Sequence, residues 1–175
     1  MLHIATHGFF LTDEDLGKTR GRGGKPVISR ALMENPLARS GLALAGANRR
    51  AAGNDGIMSA LEASGLDLWG TKLVVLSACD TGVGEVKTGE GVYGLRRSFV
   101  EAGAESLVMS LWPVSDVFTR DLMISYYRNL KQGIGRGEAL RQVQLATLKR
   151  PDRRHPFYWA SFIQTGEWAN LEGKR

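Results

Sequence analysis

Three short apolar runs, each closed by small, polar or glycine-containing residues, constrain the fold of this chain more than any other feature. They are Leu2-His-Ile-Ala-Thr-His-Gly8, Leu73-Val-Val-Leu-Ser-Ala-Cys-Asp-Thr-Gly82, and Ser106–Leu111 followed by Trp112-Pro113. The segments Leu2–Thr6, Lys72–Ser77 and Ser106–Leu111 have the length and β-prone character of strands buried inside a sheet. Helix-patterned stretches follow the second and third. Val92, Leu95, Phe99 and Ala102 recur at helical spacing with Gly103 as the stop. Ser115 or Asp116 is placed to cap a helix with Phe118, Leu122, Tyr126 and Leu130 on one face. Gly137–Leu148 predicts a further helix, with Leu140, Val143 and Thr147 on one stripe.

Strand, helix, strand, helix is the order that forces crossovers and a parallel sheet covered on both faces. The remaining segments are less regular. Residues 8–40, rich in Gly, Pro and charge, read as a long loop or an extended hairpin. Gly41–Gly46 reads as a short strand, and Gly56–Asp67 as a short amphipathic helix with Ile57, Leu61 and Ser64 on one side. Phe157–Ile163, aromatic and β-prone, reads as a closing strand.

Ligand sites in such sheets lie beyond the carboxyl ends of the strands. Cys79, His7 and Trp112 all fall there, so one edge of one sheet can gather all three. A thiol at one strand end and an imidazole followed by glycine at another suggest a Cys/His dyad. His3 competes with His7, because residues 3 and 7 of a strand point the same way. Position separates them: His7 adjoins Gly8 at the strand end, whereas His3 lies within the apolar run and reads as a hydrogen-bonded core histidine. His155, before Pro156, reads as a capping or loop residue. The bland reading of Cys79 is an inert buried thiol; that of Asp80 is a turn or cap residue.

The chain has 175 residues, 43% hydrophobic and 23% charged, which fits one domain with its own core. No run approaches the roughly 18 apolar residues that a membrane span requires, and the first residues do not read as a signal peptide. A single cysteine permits no internal disulfide, which favours a reducing, cytoplasmic setting. The net charge of +5 raises the question of nucleic acid. The basic clusters at Lys18–Lys25, Arg49-Arg50 and Lys149–Arg154 lack interleaved aromatics or a recognisable module, so they read as solvated surface. Gly24-Lys25 precedes Pro26 rather than Ser or Thr, and is no phosphate loop. The glycine-rich stretch Gly82–Gly91 also lacks phosphate-loop spacing and reads as a loop flanking the substrate.

The ordered set of segments Leu2–Gly8, Leu73–Gly82, Gly91-Val-Tyr-Gly-Leu95, Ala102-Gly-Ala104, Ser110-Leu-Trp-Pro-Val-Ser-Asp116 and His155-Pro-Phe-Tyr-Trp-Ala-Ser-Phe162 resembles the CHAT domain. This is a bacterial caspase-like module, related to separases, caspases, metacaspases and gingipains and often found with tetratricopeptide repeats. The resemblance implies an α/β caspase-like three-layer sandwich, with a mainly parallel sheet flanked by helices. Domains of this kind usually carry additional strands ahead of the histidine segment. Residues 1–175 are therefore read as the C-terminal portion of the domain, with the N-terminal half absent.

The resemblance also implies a cysteine endopeptidase in which Cys79 is the nucleophile and His7 the general acid/base, acting through a thioester on a protein or peptide substrate. The backbone N–H of Gly8 and that of Cys79 would form the oxyanion hole. The loop after the third strand shapes the S1 pocket in relatives, which points to Trp112 and Asp116. Asp116 would pair with a basic P1 side chain, the residue whose carbonyl is attacked; capping the following helix is its structural alternative. No metal or organic cofactor is required. Attached repeats or partner proteins would regulate the module. The competing reading is a catalytically silent scaffold of the same fold; a third, resting only on basic charge and on relatives used in RNA-guided defence, is a nucleic-acid-associated effector.

Overall fold

The structure, a computed structural model, describes residues 1–11, 35–48, 56–78, 90–113 and 115–174. Strands β1 (Leu2–Phe10), β2 (Ser40–Ala43), β3 (Ile57–Ser59), β4 (Val74–Ala78), β5 (Ser106–Ser110) and β6 (Phe162–Gly166) form one sheet in the order β3-β2-β1-β4-β5-β6. Among the described residues, helices α1 (Pro36–Arg39), α2 (Ala60–Ser64), α3 (Glu90–Glu101), α4 (Asp116–Lys131), α5 (Arg136–Leu148) and α6 (Pro156–Trp159) accompany them.

The sheet is mixed, not mainly parallel. β1, β4 and β5 run parallel, whereas β2, β3 and β6 pair antiparallel with their neighbours. The number of long helices between them explains the directions of β4, β5 and β6. One helix, α3, carries the chain from β4 to β5, and a single crossover returns a strand in the same direction. Two long helices separate β5 from β6, so the chain comes back to the end it left and β6 runs the opposite way, with Ser110 opposite Phe162.

Alternation along the central strands divides the core in two. Val74, Leu76, Leu107 and Met109 face Leu95 and Phe99 of α3 and Ala60 and Ala63 of α2. Val75 and Val108 face Phe118, Leu122 and Tyr126 of α4 together with Leu140 and Val143 of α5. Helices thus cover both faces of the sheet, and β5 is buried along its whole length. The predicted stripes of α4 and α5 are the buried ones. Gly103, at φ 101°, occupies the left-handed conformation that ends α3.

Three expectations need correction. Residues 56–67 are not one helix: Ser59 and Glu62 form a reciprocal capping box that starts α2 at Ala60 and leaves Ile57–Ser59 to pair with β2. Ala60 and Ala63, rather than Leu61, are the buried residues of α2. The aromatic stretch after His155 opens with a helical turn, because Pro156 suits a first helical position and His155 Nδ1 accepts a hydrogen bond from the Phe157 N–H (3.2 Å). That makes His155 the cap, as expected, and delays the strand to Phe162. Finally, of the long loop or extended hairpin expected over 8–40, residues 8–10 extend β1 and pair antiparallel with β2, as a hairpin would, and residues 36–39 form α1.

Candidate functional site

β1 changes partners at the point where the sequence places its histidine. Leu2 to Thr6 pair with β4, ending at Thr6 opposite Ala78; His7 to Phe10 pair with β2, beginning at His7 opposite Ala43. The Thr6 hydroxyl donates to the Ala43 carbonyl and fastens this junction. Residues 3, 5 and 7 of β1 are exposed on the sheet face that carries α4. Between that face and α4 runs a slot of about 560 Å³. His3, Ala5, His7 and Ser77 line its sheet side, and Asp116, Thr119, Arg120, Met123, Ile124 and Tyr127 line its helix side.

The slot has direction. α4 begins at Asp116, just past the carboxyl end of β5, and runs back toward the amino end of β1. Asp116 and His7 therefore mark the mouth, and Tyr127 and His3 the far end. There the Tyr127 hydroxyl and His3 Nδ1 are 2.9 Å apart, and His3 Nε2 lies 3.3 Å from the Ser77 hydroxyl. Partial desolvation in the slot lowers the His3 pKa although the residue keeps much of its surface exposed, and burial raises that of Tyr127 to about 12, so both groups are held neutral. His3 is thus an exposed, hydrogen-bonded wall of the slot and not the core residue expected. His7 also borders a second hollow of about 390 Å³ along Ala43–Asn48.

The ladder fixes where the Gly8 amide points. The Leu11 N–H bonds the Arg39 carbonyl (2.8 Å), which makes 11 and 39 a hydrogen-bonded pair. The two-residue alternation of antiparallel strands then puts 9 with 41 and 7 with 43 in the same class, and leaves Gly8 opposite Leu42 in a non-bonded pair. The Leu2 N–H bonds the Leu73 carbonyl (2.9 Å), so even-numbered amides of β1 face β4. The Gly8 N–H is directed to that same side, beyond the last residue of β4.

Asp116 is exposed at the first position of α4. Ser115 is the N-cap, with no side-chain capping bond. Arg120, the cation nearest to it along the helix, is paired instead with Asp121 (3.1 Å). Trp112 lies elsewhere: its indole N–H donates to the Phe157 carbonyl (3.2 Å), its ring packs against the α4–α5 core, and it is not among the residues lining the slot. Cys79 with its amide, Asp80, the glycine-rich loop through residue 89, and the clusters at 18–25 and 49–50 lie outside the described residues. Sequence reasoning missed Ser77 and Tyr127. Ser77 could have been found from parity, because 77 shares a face with 75 and, through the register Ala5 opposite Ser77, with 3, 5 and 7.

Among the described residues no helix is long and apolar enough to cross a membrane. A 100-residue stretch, 57% of this chain, is 32% identical to tetratricopeptide repeat protein 28 of Homo sapiens, and the Mus musculus protein of that name matches to the same extent. The match spans only 4% of the length of those relatives. The CHAT domain family model matches residues 1–167, and the chain accordingly belongs to the CHAT domain family.

Proposed function

We propose that this chain is a caspase-like cysteine endopeptidase with Cys79 as nucleophile and His7 as general acid/base. The observation that carries the reading is the parallel register of Thr6 with Ala78. Each catalytic residue follows one of these partners by a single peptide bond, and adjacent strands lie only about 4.8 Å apart. His7 stands at the mouth of a slot whose volume falls within the range of ligand sites, roughly 300–1,000 Å³. Helices on both faces of the sheet fit the three-layer caspase-like sandwich.

In this mechanism the imidazole takes the thiol proton, and the thiolate adds to the carbonyl carbon of the scissile peptide. The carbonyl oxygen becomes an oxyanion, held by the N–H groups of Gly8 and Cys79. Collapse forms the thioester and breaks the C–N bond, with the imidazolium protonating the departing amine. Water, deprotonated by His7, then hydrolyses the thioester to a carboxylic acid and the free thiol. The direction of the Gly8 amide supports its part in the oxyanion hole. Asp116, at the slot mouth without a paired cation among the described residues, attracts a basic P1 side chain. Trp112 braces the loop that carries Asp116. The repeat-protein relatives support control of the module by tetratricopeptide-type repeats or another regulatory protein.

The test is alkylation of Cys79, the single cysteine of the chain. An iodoacetamide probe near neutral pH should label it rapidly, and His7→Ala should slow labelling by an order of magnitude or more. Equal, slow labelling of both proteins would favour a catalytically silent scaffold.

A further inference from the structure

The far end of the slot has a consequence for substrate choice. Ala5 lies between His3 and His7 on the same face of β1, and its register partner is Ser77. At about 3.3 Å per residue, the Ala5–Ser77 level lies roughly 6.6 Å from His7, and the His3 ring leans back to that level, with Nε2 3.3 Å from the Ser77 hydroxyl. An extended unbranched side chain of Met, Gln, Lys or Arg length spans about 5–7 Å from its Cα. Side chains of Ala or Val length stop well short. The walls along this path are Thr119 and Arg120, whose guanidinium is paired with Asp121, and then the apolar Met123 and Ile124, and the end is closed by the Tyr127–His3–Ser77 chain of hydrogen bonds.

We infer that this slot selects the P1 side chain by length, with Ala5 as its throat and the Tyr127–His3–Ser77 chain as its floor. The inference rests on the peptidase reading and adds to it a substrate class: peptides with a long, unbranched P1 residue. Ala5 is the residue that keeps the throat open, because any larger side chain there stands between His3 and His7 and fills the path. The floor is neutral and offers both hydroxyl donors and lone pairs, so it accepts either a polar or a soft head group, and charge preference is left to Asp116 at the mouth. Selection by length and selection by charge are thereby separated onto different residues.

The experiment uses peptidyl chloromethyl ketones that differ only in P1 (Ala, Val, Met, Lys and the longer homoarginine). The Cys79 thiolate displaces chloride, forming a C–S bond as the C–Cl bond breaks, and intact mass reads the adduct. For the wild-type chain, Met and Lys probes should react at least tenfold faster than Ala and Val probes, relative to iodoacetamide. Ala5→Leu should reduce that preference at least tenfold, and His3→Ala should extend it to probes with longer P1 chains. Ala5→Val supplies the same reading where the leucine variant does not fold. A wild-type preference for Ala or Val, or a preference unaltered by the Ala5 and His3 substitutions, overturns the slot assignment. Labelling by iodoacetamide that is independent of His7 overturns the peptidase reading, and the P1 dependence of the ketones still judges the slot.

Discussion

The hydroxyl of Tyr127 and Nδ1 of His3 stand 2.9 Å apart, joining α4 to the first turn-free residues of β1 across 124 positions of sequence. This contact requires an imidazole without a proton on both nitrogens if Tyr127 is to donate, and burial pushes the His3 pKa below its ordinary 6.5. The sign of the pH effect follows. Between the lowered folded value and 6.5, the unfolded chain binds more protons than the folded one, so stability falls as pH drops through that window. The melting temperature of the wild-type chain should decline between pH 7.5 and 5.5, and His3→Gln should flatten the decline. Identical pH slopes for the two proteins would exclude His3 as a source of the dependence.

Asp116 predicts a charge effect at the mouth. Because the carboxylate is exposed, its attraction for a cationic P1 group is modest and screened by salt. Asp116→Asn should lower kcat/KM for Lys and Arg substrates roughly two- to fivefold at low salt, with a smaller change for Met and Gln substrates. Equal losses across all four would indicate a role in helix α4 instead of in charge selection.

Arg136, fully buried at the first position of α5, predicts a large stability effect remote from the slot. Its guanidinium donates to the Lys72 carbonyl (2.8 Å), the Ser106 hydroxyl (3.1 Å) and the Asn170 carbonyl (3.2 Å), and pairs with Glu105 (3.4 Å). These contacts tie α5, the entry to β4, the start of β5 and the chain after β6 into one cluster. Truncation removes charge-assisted donors and leaves a void, although the Lys72 carbonyl keeps the Ser106 hydroxyl, the Asn170 carbonyl keeps the Gly173 N–H, and Glu105 keeps the Lys72 ammonium. Arg136→Ala should cost about 3 kcal/mol or more in denaturant unfolding, and Arg136→Lys an intermediate amount, since one ammonium cannot reach all of these oxygens. A loss of under about 1 kcal/mol would show that water replaces the guanidinium at little cost.

The sequence made the central strands and the long helices legible because burial on both faces of β4 and β5, and on one stripe of α4, leaves direct patterns. Val74, Val75 and Leu76 form a continuous apolar run for that reason. Strand direction was less legible. The two helices after β5 are both legible, but which neighbour β6 joins, and hence whether it pairs parallel or antiparallel, is a tertiary choice that no local window contains. For His3, parity gives the grouping with His7 but is silent on whether that face meets core or slot. Closeness in sequence groups Trp112 with Asp116, whereas the indole bond to Phe157 and the start of α4 at Asp116 send them different ways.

The contact between α3 and β2 offers a prediction with an internal control. A Cβ built on Gly94 would stand 2.9 Å from the Ser40 hydroxyl oxygen, so the glycine of the Gly91–Leu95 segment lets α3 lie close against β2. Ser40 is itself fully buried, and its hydroxyl has no hydrogen-bond partner among the described residues. Two effects then compete in Gly94→Ala: about 1 kcal/mol of helix propensity gained against an overpacking cost of about 1–3 kcal/mol. The clash should win, giving net destabilisation. Ser40→Ala removes the obstructing oxygen together with an unpaired buried polar group, and should by itself be neutral or stabilising. In the double variant the clash is gone while the propensity gain remains, so Ser40→Ala/Gly94→Ala should be at least as stable as the wild type. Denaturant unfolding of the four proteins gives the coupling directly, with an expected interaction of about 1 kcal/mol or more between the two sites. Simple additivity would mean that the Ser40 side chain rotates away freely and that the glycine answers to something other than this approach.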